Sequence, residues 1–148
     1  TRAPRVDNGL RTSTPGVFAA GNLLHGAETA AVCARSGAWV ARSVRAWLDG
    51  SCGSEWPPAR AVPFVCDAPL RWISPNVLVP GVTEVPHGHF LARSTEFARP
   101  LRLAVRQGDR ELWSGRVGRA VPTMPIHIGA SWISQVEPEE PVHITVAG

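Results

Sequence analysis

Residues 12–22 read TSTPGVFAAGN and decide how the N-terminal part of the chain folds. Pro15 and Gly16 are typical of a turn, and the apolar run at 17–20 predicts a short strand buried in a parallel sheet. Gly21 then lets the chain turn tightly with no side chain protruding toward a ligand. The segment therefore predicts a strand–turn–helix corner, and such corners present backbone N–H groups to bound ligands.

A long helix is predicted directly after this corner, at 28–48. Small and apolar residues recur on one face of that segment, so we expect the helix to approach a sheet or a cofactor closely. Gly50 suits the position just past the helix C-terminus. Before the corner, Asn8 and Gly9 predict a two-residue hairpin turn. The N-terminal part is therefore predicted to be a partial α/β unit of hairpin, strand and helix.

The corner also resembles a known family motif. TSTPGVFAAGN is similar to T-S-x-P-G-V-F-A-A-G-D, the second flavin-binding motif of the two-dinucleotide-binding-domain flavoproteins, which form the pyridine nucleotide-disulfide oxidoreductase superfamily. The chain matches every fixed position except the last, where Asn22 stands in place of aspartate. The run AGNLLHGAETA at 20–30 is also similar to FAD/NAD(P)-dependent oxidoreductases akin to the alpha subunits of sarcosine oxidase and amino-acid dehydrogenases. The resemblance covers residues 1–50 and implies a Rossmann-like FAD-binding domain.

The resemblance implies an enzyme that holds FAD and transfers electrons between NAD(P)H, or a small organic substrate, and the flavin. Carried over by position, Gly21 and Asn22 would meet the ribityl–phosphate region of FAD, and the backbone around Ala30, Ala31 and Val32 would meet the flavin O2. A helix N-terminus has partial positive charge and unpaired N–H groups, which suit the negative charge near N1 and O2 of a reduced flavin. NAD(P) is expected as a second cofactor of the full-length enzyme.

The family motif normally lies near the end of a longer enzyme, whereas here it begins close to residue 1. No G-x-G-x-x-G follows a strand in the sequence. We therefore expect a C-terminal fragment, inactive alone, completed by a missing N-terminal part of the same enzyme or by a partner subunit. The alternative is a non-catalytic interaction module, in which the C-terminal part docks on a flavoenzyme subunit.

Residues 51–60 predict a linker, because they contain a stretch rich in Gly and Ser that Pro57 and Pro58 close. From 61 to 148 the chain predicts an all-β, immunoglobulin-like sandwich domain, since short β segments recur between Pro, Gly and Asp turns. The predicted strands are 70–73, 77–79, 89–93, 101–106, 111–116, 124–128 and 142–146. The side chains predicted to fill the sandwich core include Trp72, Trp113 and Trp132.

Composition excludes several functional classes. All fifteen basic residues are Arg, and they are scattered, so the net charge of +3 does not predict a nucleic-acid surface. No apolar run approaches the roughly 18–20 residues that span a bilayer, so no membrane partner is expected. Three cysteines without a C-x-x-C pair predict reduced thiols and a cytoplasmic protein.

Few other residues suggest chemistry. His25 is expected in the loop that enters the helix, where it is either a proton donor or polar contact to flavin or substrate, or a histidine that only packs. Cys33 lies alone on an Ala-rich face and is interpreted as a small buried residue. His87 and His89 would lie on one face of a strand as half of a metal site, but a third ligand is missing nearby. No metal and no catalytic residue are predicted.

Overall fold

The structure is a computed structural model that describes residues 3–26, 28–52, 55–56, 58–138 and 140–147. Its first element is the predicted Asn8-Gly9 turn. The Leu10 N–H donates to the Asp7 carbonyl at 2.8 Å, and the Asp7 carboxylate accepts from the N–H of Gly9 and of Arg11. The Arg11 side chain closes the turn through an ion pair with the same carboxylate at 2.7 Å. The hairpin turn is therefore fixed by backbone and side chain together.

The prediction of a strand at 17–20 is wrong. In that run only Phe18 makes a β-bridge, and its antiparallel partner is Arg11. The turn at Pro15 and Gly16 folds the segment back on residues 10–12, so Val17 stays 48% exposed instead of entering a parallel sheet. A strand needs a neighbouring strand to satisfy its backbone, and the described residues offer this run only the bridge to Arg11.

Two helices follow the corner. Gly21 adopts φ 65° and ψ −145°, a conformation that favours glycine, and leads into the one-turn helix α1 at Asn22–His25. Helix α2 spans Ala30–Leu48, so the prediction of a long helix is confirmed with a start two residues later. Thr29 is its N-cap, because its hydroxyl oxygen accepts the Val32 N–H.

Two β-sheets follow, and the chain as a whole is mixed α/β with mostly β-structure. Among the described residues the strands are β1 Val62–Cys66, β2 Leu70–Ser74, β3 Val77–Leu78, β4 His89–Ser94, β5 Leu101–Gln107, β6 Arg110–Val117, β7 Ile126–Gly129 and β8 Val142–Ala147. One sheet has the order β3-β1-β8-β5-β6 and the other the order β2-β4-β7. Short 3₁₀ helices lie at Pro86–Gly88 and Ile133–Gln135. We call residues 62–147 the β region.

Strand β1 was missed because Pro63 interrupts its pattern, and proline is confined to edges, first positions or bulges in most sheets. It pairs with β3 in the antiparallel and with β8 in the parallel direction. The seven predicted strands all have counterparts. The run predicted at 124–128 begins later, at Ile126, since Met124 is in a turn and half exposed.

One hydrophobic core receives side chains from both sheets. Trp132 is fully buried and stacks on Phe90 with ring centroids 5.2 Å apart, which confirms its predicted place in the core. Trp113 packs against the edge of this core, above Gly115. The prediction for Trp72 is wrong, because it lines a surface cleft and faces polar groups.

The N-terminal part is held against the β region by hydrogen bonds at its hairpin. The Asn76 side chain accepts the Val6 N–H at 2.8 Å, and the Asn8 side chain accepts the Val79 N–H at 3.1 Å. Val6 and Leu10 belong to a second, smaller apolar cluster with residues of the corner and of α2. These contacts fix α1 and α2 beside the strands. Within the described ranges, neither helix has the length and apolar character needed to cross a bilayer.

Candidate functional site

The corner places Gly21 and Asn22 in different environments. Gly21 is buried, and a Cβ added there would lie at an ordinary contact distance of 3.6 Å from the Cys33 side chain, so its positive φ and not a lack of space favours glycine. Asn22 is exposed, and its side-chain oxygen accepts the Glu28 N–H at 2.8 Å. That bond closes the loop between α1 and α2 and leaves the two amide hydrogens of Asn22 available as donors.

The other three predicted site residues form the first turn of α2. Ala30 and Ala31 are exposed, while Val32 is half-buried and donates its N–H to the Thr29 hydroxyl at 3.4 Å. The positive end of the helix dipole therefore faces outward at Ala30 and Ala31. These residues lie outside the cleft that Asn22 enters, so the structure brings together Gly21 and Asn22 but not all five positions.

A cleft of about 580 Å³ separates the corner from the β region. Its lining includes Asn22 and His25 from α1, Arg71 and Trp72 from β2, and Arg93 from β4. Sequence reasoning missed Arg71 and Arg93, because residues so far apart in the chain carry no shared pattern. A cleft that combines an amide, an imidazole, an indole and guanidinium groups can bind a planar, polar ligand.

Arg93 joins this cleft to the loop before α2. Its guanidinium forms an ion pair with Glu28 and donates to the Thr123 carbonyl at 2.8 Å. The side chains of Arg93 and Glu28 are only 7% and 2% exposed. The Arg93 guanidinium also lies 5.6 Å from the ring centre of Trp72, within the range of a cation–π contact. A buried charge pair of this kind makes the position of the loop depend on both partners.

His25 is the buried group of the cleft. It is the last residue of α1, not a loop residue as predicted, and it is 6% exposed. Its Nε2 lies 3.0 Å from the Ser74 hydroxyl, and its Nδ1 has no hydrogen-bond partner among the described residues. Burial, and then the nearby His87 and Arg93, lower the pKa of His25 to about 4. At neutral pH His25 is therefore an uncharged hydrogen-bonding group.

The rings of three further histidines continue in a row from His25. His87 lies in the 3₁₀ helix before β4, so the prediction of two imidazoles on one strand face is wrong. His87 and His89 have ring centroids 5.9 Å apart, and His89 stacks on His127 at 4.4 Å. Burial lowers the pKa of His87, assisted by Arg35, and also lowers the pKa of His89, assisted by His127.

His127 was not singled out from the sequence, although a signal existed. It lies between Ile126 and Ile128, which are buried, so alternation places its ring on the opposite face of β7. That face is the one reached by His89, whose partner in register is Gly129. Within the described ranges, no three His, Cys, Asp or Glu side chains are arranged to hold a metal ion.

Comparison with known proteins adds no assignment. The chain matches no protein-family model, and neither the curated proteins nor the solved structures contain a match to it. The site is therefore interpreted from its own geometry: a glycine corner, an exposed amide, a helix N-terminus and a cleft with a neutral imidazole.

Proposed function

We propose that this chain forms one wall of the FAD site of a flavoprotein oxidoreductase. The observation that carries the proposal is the corner itself, where Gly21 has a backbone conformation that favours glycine and the exposed Asn22 lines a large cleft. Residues 12–22 resemble a flavin-binding motif, and this resemblance indicates FAD as the ligand of the corner. In finer terms, we propose a partial Rossmann-like unit followed by an immunoglobulin-like sandwich.

The residues at the corner fit the chemistry of FAD. The ribityl chain offers hydroxyl groups, which are neutral donors and acceptors, so an amide can replace the family's carboxylate there. The Asn22 oxygen already accepts the Glu28 N–H, so the amide hydrogens of Asn22 are its donors toward a ligand. The exposed first turn of α2 at Ala30 and Ala31 supplies positive potential for the pyrimidine edge of the flavin.

When bound, the flavin would supply the electron transfer, with NAD(P)H or a small organic molecule as the other reactant. The residues of this chain would bind and orient. Asn22 would donate to a ribityl oxygen, and the dipole of α2 would favour the reduced, negatively charged state. His25, uncharged at neutral pH, would offer a hydrogen bond from the cleft without adding a charge beside the flavin.

A second polypeptide segment would complete the site. Exposed small residues, Ala30, Ala34, Ala38 and Ala41, follow one face of α2, and Val17 at the corner is also exposed. Such a face permits the close approach of a sheet, which is the expected contribution of the family's N-terminal part or of a partner subunit. The remainder of an FAD-binding domain would therefore pack on this surface.

The test compares the chain alone with the chain joined to the coding sequence that precedes Thr1. Bound FAD is measured by flavin absorbance per protein after gel filtration. We expect FAD in the joined protein and little in the chain alone. Stoichiometric FAD on the chain alone would contradict the need for a second segment, and no FAD in a folded joined protein would contradict the FAD site itself.

A second candidate function is an interaction module in which the β region docks non-catalytically on a flavoenzyme subunit. Its support is that the β region already binds the segments on both sides of the motif-like corner, through the Arg93–Glu28 pair and the bond from Val6 to Asn76. A start codon directly before Thr1 would favour this module. In that case a pull-down should recover a separate flavoprotein, and the purified complex should lose no activity when Asn22→Leu is introduced.

A further inference from the structure

Four of the five histidines of the chain form a continuous row of rings that begins at the interface between the helices and the β region and ends at the exposed His127. We call it the histidine seam, and its members are His25, His87, His89 and His127. The ring centroids of successive members lie 6.5, 5.9 and 4.4 Å apart. The members come from α1, the 3₁₀ helix at Pro86–Gly88, β4 and β7, so the seam is built by the fold and not by one segment.

Two hydrogen bonds of the seam join the helices to the β region. His25 of α1 contacts Ser74 of β2, and Ser36 of α2 contacts His87 at 3.1 Å. The Ser36 hydroxyl also lies 3.1 Å from the Val32 carbonyl, so it contacts both its own helix and His87.

Protonation would leave these imidazoles unsatisfied. The Nδ1 atoms of His25 and His87 are buried and have no hydrogen-bond partner among the described residues. An imidazolium is a donor at both nitrogens, so each Nδ1–H would be a buried donor without an acceptor as well as part of a buried charge. Both are costly in a protein interior, because water can no longer solvate them.

The charges around the seam are mostly of the same sign as an imidazolium. Arg35 of α2 and Arg93 of β4 both raise the local positive potential, and Arg71 of β2 lines the same cleft as His25. The carboxylate that approaches from the loop before α2 belongs to Glu28, and Arg93 already binds it. Added protons on His25 or His87 would therefore meet repulsion from both sides of the interface.

We propose that the histidine seam is an acid-sensitive latch, which holds α1 and α2 against the β region at neutral pH and releases them when His25, His87 and His89 take up protons. The proposal depends on contacts within this chain and holds whether or not the corner binds FAD. It assigns a regulatory role to the contacts that His25 and His87 make across this interface.

Proton linkage gives the direction and the size of the pH-dependent change in the docking equilibrium. Docking lowers the pKa of His25, so docking is favoured above the pKa of a free imidazole and is progressively lost as the pH falls from 6.5 toward about 4. With a docked value near 4 and a released value near 6.5, His25 alone shifts the equilibrium about 30-fold between neutral pH and about pH 5. His87 and His89 shift it in the same direction, since docking lowers their pKa values too.

The test is amide hydrogen exchange of the whole chain at about pH 7.5 and about pH 5, expressed as protection factors so that the intrinsic pH effect cancels. We expect protection in α1 and α2 to fall at least about 30-fold at the lower pH, while β5 and β8 stay protected. Equal protection of α2 at both pH values would overturn the proposal.

Variants separate the latch from general acid instability. In the double variant His25→Gln, His87→Gln the pH dependence of α2 protection should shrink at least about tenfold, because glutamine takes up no proton. The matched control is His143→Gln, which changes the histidine of β8 outside the seam and should keep the full pH dependence. A double variant with the wild-type pH dependence would contradict the latch.

If the double variant does not fold, titration of the wild-type chain still tests the latch. Imidazole NMR signals of His25 and His87 should titrate below the pKa of a free imidazole. Titration of both at 6.5 or above in the folded chain would refute the proposal.

Discussion

Breaking the buried ion pair between Arg93 and Glu28 should destabilise the chain far more than breaking an exposed pair. Glu28→Gln leaves the Arg93 charge buried beside a neutral amide, and Arg93→Met leaves the Glu28 carboxylate buried with no cation. The two side chains are 7% and 2% exposed, so solvent cannot replace the lost partner. Removing one partner of such a pair costs about 3–5 kcal/mol in the free energy of unfolding.

The assay is equilibrium unfolding in urea, followed by far-UV circular dichroism. The matched control is Arg110→Met, because Arg110 and Glu137 form an ion pair whose side chains are 52% and 64% exposed. That variant should lose about 0–1 kcal/mol. The double variant Glu28→Gln, Arg93→Met should be less destabilised than either single variant, since no uncompensated charge remains.

The reasoning is refuted if Glu28→Gln and Arg93→Met each cost no more than the Arg110→Met control. It is also refuted if the double variant costs the sum of the two single variants, because additive losses mean that the two side chains do not interact. A coupling of several kcal/mol would establish that this pair fixes the loop before α2 on the β region.

Three other changes test separate parts of the structure. Gly21→Ala should lose about 1–3 kcal/mol of stability, because φ 65° and ψ −145° strain an L-residue. Gly37→Ala inside α2 should instead gain up to about 1 kcal/mol. Thermal melts of the two variants distinguish the loss from the gain. Trp132→Ala should cost about 3–5 kcal/mol in urea unfolding, since the indole is fully buried among aromatic rings, and a loss below about 1 kcal/mol would contradict its place in the core. Overall stability should fall by about 2 kcal/mol between pH 7 and pH 5 through His25 alone, and a flat pH profile that His25→Gln leaves unchanged would contradict the burial of a neutral imidazole.

Local patterns predicted the elements that are stabilised locally. The spacing of small residues predicted α2, and alternation predicted β5 and β8, because helices and two-sided strands repeat with a fixed period. Asn8 and Gly9 predicted their turn through backbone preferences alone. The prediction of a strand at 17–20 failed because its apolar residues fit a buried strand only where a neighbouring strand is available.

The candidate site was only partly visible in the sequence. Gly21 and Asn22 could be found because they are adjacent and belong to one motif. Arg93, Ser74 and His127 come from distant segments, and only the pairing of β2, β4 and β7 places them on neighbouring strands. Such contacts depend on tertiary structure, which no short window of sequence encodes. The division at 51–60 and the cytoplasmic location stay predictions.

The central claim is that the Gly21–Asn22 corner binds FAD, and the affinity for FAD measures it most directly. In the chain joined to its preceding coding sequence, we expect Asn22→Asp to retain FAD, because aspartate keeps the acceptor for the Glu28 N–H and is the family residue. Asn22→Leu should weaken FAD binding about tenfold, the loss of one or two hydrogen bonds. Equal FAD affinity in wild type, Asn22→Asp and Asn22→Leu would contradict the claim.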